Sequence, residues 1–169
     1  IEEAMQLRRA GISLPMLVLG STPPEAASLL AENNISQCAY SSGYCAALSE
    51  YAVKSGVSVK IHVKVDTGMS RLGFLCTRED TAICAQVAKL PGLEVEGLFS
   101  HFAAADEADL SKAKAQAILF DQFYAMLQQR GVYVKIRHLN NSAGTLNFET
   151  HYDMVRAGIV LYGLHPSDC

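Results

Sequence analysis

The sequence predicts an α/β protein built on a parallel sheet, and three observations support this fold class. Apolar, strand-like runs alternate with helical patterns along the whole chain. Of the 169 residues, 50% are hydrophobic and 18% are charged, which suits a single domain with a sizeable core. Polar residues cluster where predicted strands end, at 66–71, 100–101, 140–142 and 156–158. Parallel α/β folds build their sites at such strand ends.

The first half of the chain alternates between helices and strands, beginning with a helix. Thr22 is expected to cap the second helix, because Pro23 and Pro24 suit the first helical turn. Gly56 is expected to end the third helix. The predicted helices cover 1–9, 21–33 and 43–56, and the predicted strands cover 13–20, 36–41 and 58–66.

The second half continues the alternation. The predicted helices cover 77–90, 109–130 and the short segment from Ser142, and the predicted strands cover 93–102, 132–142 and 153–163. Strict alternation requires parallel strands with crossover helices. An open doubly wound sheet and a (β/α)8 barrel both satisfy this requirement. The first strand is not followed by GxGxxG, which disfavours a dinucleotide-binding fold.

Composition excludes several classes of function. A net charge of −3 argues against nucleic acid, and no apolar run approaches the about 18 residues of a membrane span. The histidines lack metal-ligand spacing, so no metal is expected. Without any C-x-x-C pair, the cysteines are expected to be free thiols in a reducing cytoplasm. They are Cys38, Cys45, Cys76, Cys84 and Cys169.

Four segments together resemble alanine racemase: "HVKVDTGMSRLGF" (62–74), "FSHFA" (99–103), "HLNNSAG" (138–144) and "MVRAGIVLYG" (154–163). The resemblance implies an enzyme that uses pyridoxal 5'-phosphate, with a (β/α)8 TIM-type barrel followed by a C-terminal β domain. Residues 1–169 would then be an incomplete barrel of about six of the eight strand–helix units. The first barrel strands and the β domain would be absent. Ser70 stands where the family more often has glycine.

The resemblance also implies which side chains meet the cofactor ring. Arg156 would face the pyridine nitrogen, and a guanidinium, which only donates hydrogen bonds, favours an unprotonated ring nitrogen there. His138 would hold the Arg156 side chain, and His101 would lie against the face of the ring. Standing alone, either histidine would be read as a core residue.

A phosphate site is implied beside these residues. Ser142, with Asn141 beside it and the backbone of Gly158 and Ile159, resembles the family's phosphate cradle. Independently, barrels of this type bind phosphate at the loops after their last two strands. Ser142 is also a candidate cap for the short helix that begins there.

Strand alternation places His62, Lys64 and Asp66 on one face of the third strand. An inward lysine needs a reason, and the resemblance implies one: carbamylation of Lys64 by CO2. The resulting anion would pair with Arg71, which would orient the cofactor's phenolic oxygen and the substrate carboxylate. Asp66 is expected to cap the turn.

The resemblance predicts a cytoplasmic, homodimeric enzyme that interconverts L- and D-alanine for peptidoglycan precursors. Arg71, His101 and Arg156 are its predicted catalytic residues in this chain. The lysine that binds the cofactor and the tyrosine that acts as second base are expected outside it, so the isolated chain should be inactive. The alternatives are a broader alanine/serine racemase, a non-catalytic barrel that binds pyridoxal phosphate, and a non-functional barrel piece.

Overall fold

A computed structural model describes residues 1–166 of the chain. Its strands are β1 (Met16–Val18), β2 (Ile35–Ala39), β3 (Val59–Asp66), β4 (Phe74–Leu75), β5 (Leu93–Phe99) and β6 (Ile136–His138). Its helices are α1 (Glu2–Arg9), α2 (Ala27–Glu32), α3 (Ser42–Lys54), α4 (Arg78–Val87), α5 (Ser111–Gln129) and α6 (Ser142–Asn147). Short 3-10 turns cover Pro24–Ala26 and Ile159–Tyr162.

The strands form one sheet in which every neighbouring pair is parallel. Its order is β1-β2-β3-β5-β6, with the two-residue β4 paired to the end of β3. Helices α2 to α5 lie between successive strands along the chain, as crossover connections require. This curved succession of strand–helix units is an incomplete (β/α)8 barrel, which confirms the predicted fold class. Sequence reasoning missed β4, which is too short to show a period.

The predicted sixth strand at 153–163 is wrong. The segment makes two backbone hydrogen bonds beside β6, from Asp153 N to Arg137 O at 3.0 Å and from Arg156 N to Asn140 O at 2.9 Å. It then turns into the Ile159–Tyr162 3-10 turn. In a closed barrel the last strand pairs with the first strand as well. No such second partner lies among residues 1–166, so a continuous ladder does not form.

The predicted cap at Thr22 is also wrong. The chain after Pro23 first makes a 3-10 turn, and the α-helix begins only at Ala27. Thr22 is fully buried instead. The other helices begin and end within three residues of their predicted positions, since apolar periods and glycine stops are local signals.

The core lies between the sheet and the helices, while the opposite face of the sheet carries buried polar groups. Phe120, Phe123 and Leu127 of α5 are almost fully buried on the helical side. His62, Lys64 and His138 are 2%, 3% and 0% exposed on the other side. Such an arrangement concentrates titratable groups inside the barrel, where the site is expected.

Two further findings concern the part of the chain that the structure describes. Cys38, Cys45, Cys76 and Cys84 are free thiols, three of them buried, as the sequence predicted; Cys169 lies outside the described residues. None of the helices within residues 1–166 has the length and apolar character needed to cross a membrane.

Candidate active site

Arg156 reaches back across the ends of β5 and β6. Its Nη1 lies 2.5 Å from His138 Nδ1, and its Nη2 donates to Ser100 O at 2.6 Å and to Leu139 O at 3.1 Å. The guanidinium carbon lies 5.4 Å from the centre of the Phe99 ring. Burial lowers the pKa of Arg156 to about 10, so the side chain remains charged at neutral pH. The distance between Arg156 Nη1 and His138 Nδ1 shows that the predicted contact between these two side chains is present.

Both histidines beside Arg156 are neutral at pH 7. Burial, and then the charge of Arg156, lowers the pKa of His138 to about 2 and that of His101 to about 4. His138 stacks on Phe99 with ring centres 4.8 Å apart, and His101 Nδ1 lies 3.3 Å from Arg156 Nη2. Two neutral rings thus flank one half-buried cation.

A hydroxyl and a backbone amide come together next to this cation. Ser142 Oγ accepts a hydrogen bond from Gly158 N at 2.9 Å, which joins the start of α6 to the segment after Arg156. Ser142 is not the helix cap. Asn141 caps α6 by accepting from Gly144 N at 2.9 Å, so the Ser142 hydroxyl is not used in capping and keeps its own proton to donate.

A cleft of about 370 Å³ opens over these groups. Six predicted site residues line it: His101, Asn141, Ser142, Arg156, Gly158 and Ile159. A wider cavity of about 700 Å³ lies at the start of β6, between Tyr124, Arg137 and Tyr152, and contains none of the predicted residues. The smaller cleft is the candidate site, because the half-buried Arg156 cation and several hydrogen-bonding groups converge there.

Lys64 points into the barrel, as the alternation of β3 predicts. It is 3% exposed, and its Nζ donates to Val65 O at 2.9 Å and lies 5.4 Å from the centre of the Phe99 ring. Burial lowers its pKa to about 8. A sizeable fraction of this side chain is therefore uncharged at slightly alkaline pH.

Arg71 is exposed and makes no hydrogen bond or ion pair with any residue in the described range 1–166. Its positive charge nevertheless contributes, after burial and other charges, to lowering the pKa of Lys64 and of His101. The predicted pairing of Arg71 with a modified Lys64 concerns a chemical form that the structure does not contain, and it stays a prediction.

The turn that carries Arg71 is capped as predicted. Asp66 Oδ1 accepts from Gly68 N at 2.9 Å and from Ser70 N at 3.0 Å. Gly68 has φ +130°, a value that side chains rarely allow. Ser70 has φ +55°, which explains why a glycine suits this position better.

Sequence reasoning missed Gln116, which connects α5 to two loops of the site. Its Oε1 accepts from Ala103 N at 2.9 Å, and its Nε2 donates to Thr67 Oγ1 and to His101 O, both at 3.1 Å. The available signal was a polar residue on the buried face of a long helix.

The fold and the cleft define a class: a (β/α)8-type barrel domain with a half-buried cationic site at the carboxyl ends of its strands. Comparison with known families identifies the family to which the chain belongs. The chain belongs to the family described as alanine racemase, N-terminal domain, whose model matches residues 1–166. This confirms the resemblance found in the sequence.

The chain spans less than half the length of the relatives it matches. It is 47% identical to alanine racemase of Desulfovibrio desulfuricans, over 99% of this chain and 45% of that protein. A solved alanine racemase of Clostridium difficile 630 in complex with cycloserine matches with a TM-score of 0.95 and 38% identity, over 99% and 46%. A histidine racemase of Leuconostoc mesenteroides matches with a TM-score of 0.88 and 30% identity, over 99% and 45%.

Proposed function

We propose that this chain is the central part of the barrel domain of an amino-acid racemase that uses pyridoxal phosphate to interconvert L- and D-alanine. The observation that carries the proposal is the half-buried guanidinium of Arg156, held by neutral His138 and placed beside the Ser142–Gly158 pair. The family match and the names of the relatives support the same conclusion.

The residues present fit pyridoxal phosphate. The cofactor offers phosphate oxygens, which accept hydrogen bonds, and a pyridine nitrogen whose lone pair accepts one. Ser142 and the backbone of Gly158 and Ile159 would hold the phosphate, with Asn141 fixing the helix start beside them. Arg156, which can only donate, would meet the nitrogen. The cleft volume of about 370 Å³ lies in the range of small-molecule sites.

When bound, pyridoxal phosphate withdraws electrons from the substrate Cα–H bond and so makes its proton more acidic. Arg156 keeps its own protons, since its pKa remains about 10, and would therefore leave the ring nitrogen unprotonated. This would weaken electron withdrawal and limit side reactions. His101 would cover one face of the ring, while His138 fixes the direction of Arg156.

Lys64 and Arg71 would act on the substrate side. An uncharged lysine can attack CO2: a C–N bond forms, the nitrogen releases a proton, and the product is an anionic carbamate. Lowering of the Lys64 pKa to about 8 supports this reaction, because it increases the free amine. The carbamate would pair with Arg71 and hold it over the cleft, where Arg71 would bind the substrate carboxylate.

We also propose that the whole protein continues into a C-terminal β domain and forms a cytoplasmic homodimer. The lysine that binds the cofactor and a second base would come from outside residues 1–169. The test is racemisation of L-alanine by the full-length protein with added pyridoxal phosphate. Turnover supports the proposal, whereas cofactor absorbance without turnover would point to a non-catalytic barrel. The isolated chain should not turn over.

The substrate range needs its own assay. A similar barrel occurs in a protein named histidine racemase, so membership in the fold does not select the side chain. Rates with L-alanine, L-serine and L-histidine should be compared in the full-length protein. We expect alanine to be the fastest, and comparable rates with serine would indicate the broader racemase.

A further inference from the structure

A continuous chain of hydrogen bonds runs from Arg156 through the barrel to a carboxylate on β5. His138 Nδ1 contacts Arg156, and His138 Nε2 lies 2.8 Å from His62 Nδ1. His62 Nε2 lies 3.2 Å from Glu96 Oε2. Both histidines are at most 2% exposed, so protein groups must satisfy their ring nitrogens.

Hydrogen-bond chemistry fixes where each proton lies. Arg156 can only donate, so His138 Nδ1 must carry a lone pair and the ring proton sits on Nε2. That N–H points at His62 Nδ1, which must accept in turn. The proton of neutral His62 therefore sits on Nε2 and is donated to Glu96. All three hydrogen bonds run in one direction, from the cation to the carboxylate.

Glu96 is suited to be the acceptor at the far end. Burial raises its pKa, but hydrogen bonds from Ser36 and His62 and the charge of Lys60 outweigh this, so its pKa lies below the ordinary value. Ser36 Oγ donates to Oε2 at 2.8 Å, and Lys60 Nζ lies 3.4 Å from Oε1. Glu96 is therefore an anion at neutral pH and cannot donate.

We propose that Glu96 is a positioning residue for Arg156: acting through His62, it fixes the tautomer of His138 and so keeps a lone pair aimed at the guanidinium. The proposal rests on the proposed function only in the role that it gives Arg156. An anion at one end and a permanent donor at the other select a single proton arrangement. The hydrogen bonds within such a chain also polarise one another, which strengthens the hydrogen bond between Arg156 and His138.

The packing of β5 supports this role. Gly97 leaves room for the His62 ring, since a Cβ there would lie 2.6 Å from His62 Cε1 and 2.8 Å from Cγ. Strand β5 thus carries the acceptor, Glu96, and next to it a glycine, Gly97, that leaves space for the His62 ring. An ordinary side chain at 97 would push the ring out of line.

The test uses the full-length protein with 15N-labelled histidine and no added cofactor. NMR distinguishes protonated from unprotonated ring nitrogens, and the wild type should show His138 Nδ1 unprotonated. Glu96→Leu removes the acceptor at similar size. We expect the His138 Nδ1 signal to shift part of the way towards the protonated range. Glu94→Leu is the matched control, because Glu94 pairs with Lys135 on the exposed side of the same strand.

Two substitutions at His62 distinguish the contribution of its Nδ1 atom from that of its Nε2 atom. His62→Asn places an amide oxygen where Nδ1 accepts from His138, so the His138 tautomer should be kept. His62→Gln reaches towards Glu96 instead and leaves His138 Nε2 without an acceptor, so the tautomer should become mixed. These variants keep the test decisive even where Glu96→Leu folds poorly.

Cofactor binding gives a second readout. Glu96→Leu should weaken pyridoxal phosphate binding about tenfold, which corresponds to about 1.4 kcal/mol, and Glu94→Leu should not. A His138 Nδ1 signal unchanged in both Glu96→Leu and His62→Gln would overturn the inference. A wild-type protein that shows the expected tautomers but binds no pyridoxal phosphate would contradict the proposed function and leave the inference about Glu96 standing.

Discussion

Arg156 is the side chain on which the candidate site is built. Its guanidinium uses both terminal nitrogens, towards His138 and towards the carbonyls of Ser100 and Leu139. These contacts tie it to the ends of β5 and β6 before any ligand arrives. A site that is held in place in this way loses little entropy on binding.

Arg156→Lys tests this geometry. A lysine is a single point charge and cannot satisfy His138 and Ser100 O together. Losing hydrogen bonds to a charged group costs about 1.5–3 kcal/mol each, so we expect kcat/KM for L-alanine to fall by at least about tenfold. Steady-state kinetics of the full-length protein measure the effect.

The matched control is Arg137→Lys. Arg137 lies on β6 over the rings of Tyr124 and Tyr152 and pairs with Asp153, away from the cleft. Its loss should change kcat/KM less than twofold. Equal effects of the two substitutions would show that Arg156 has no special part in the reaction.

Ser70 provides a second prediction at this scale. Its φ of +55° is a left-handed conformation that costs an ordinary residue about 1 kcal/mol. Ser70→Gly should therefore raise the free energy of unfolding by about 0.5–1 kcal/mol, after the greater flexibility of glycine in the unfolded chain is counted. Urea denaturation measures it. Ser55→Gly, at φ −90°, should give no gain.

At the scale of single elements, α5 does more than cover the sheet. Gln116 on its buried face binds Ala103 N, Thr67 Oγ1 and His101 O, and so joins the loops after β3 and β5. The two loops carry Arg71 and His101, which the proposed mechanism uses together. Besides the contact of Thr67 Oγ1 with Ser100 Oγ at 2.8 Å, this amide side chain contributes to their relative position.

Gln116→Leu removes these three hydrogen bonds and leaves a backbone N–H without its partner. We expect the free energy of unfolding to fall by about 2 kcal/mol and KM for L-alanine to rise. Gln122→Leu, on the exposed face of the same helix, is the control and should change neither. Unchanged kinetics in Gln116→Leu would mean that the loops are positioned by other contacts.

The sequence predicted elements wherever the signal was local. The predicted stop at Gly56 lies just after the end of α3, and apolar runs with short helical patterns between them located β1 to β3 and β5. The strand predicted at 153–163 was wrong, because a strand depends on a partner that lies elsewhere in the fold. The helix cap predicted at Thr22 was wrong, because the geometry of the consecutive prolines decided where the helix began.

The candidate site shows the same division. Motif resemblance placed Arg156, His138 and Ser142 in one site. The structure joins Arg156 to His138 and Ser142 to Gly158, and Arg156 and Ser142 line the same cleft. The partners of Gln116 and Glu96 lie 13 to 49 and 34 to 60 positions away along the chain, so no pattern in the sequence connects them. Such contacts become visible only when the barrel is assembled.

At the scale of the whole molecule, the buried histidines make stability depend on pH. Burial lowers the pKa of His62, His101 and His138, the last two to about 4 and about 2. In the unfolded chain each would titrate near 6.5. Between these values the unfolded chain binds more protons than the folded one, so stability is full above about pH 6.5 and falls as the pH drops.

We therefore expect the free energy of unfolding to decrease from pH 7 to pH 5, a window above the range in which ordinary carboxyl groups titrate. Urea denaturation at the two pH values measures the decrease. His138→Asn, which keeps an acceptor for Arg156, should reduce the slope. A free energy of unfolding that is equal at both pH values would show that these rings are not buried in neutral form.

The most direct test of the account concerns the nitrogen that Arg156 is proposed to meet. The full-length protein should be loaded with pyridoxal phosphate carrying 15N in its ring and observed by NMR between pH 6 and 8. The account predicts an unprotonated ring nitrogen throughout, because the guanidinium donates to it and does not release a proton. A protonated ring nitrogen in this range would contradict the central claim.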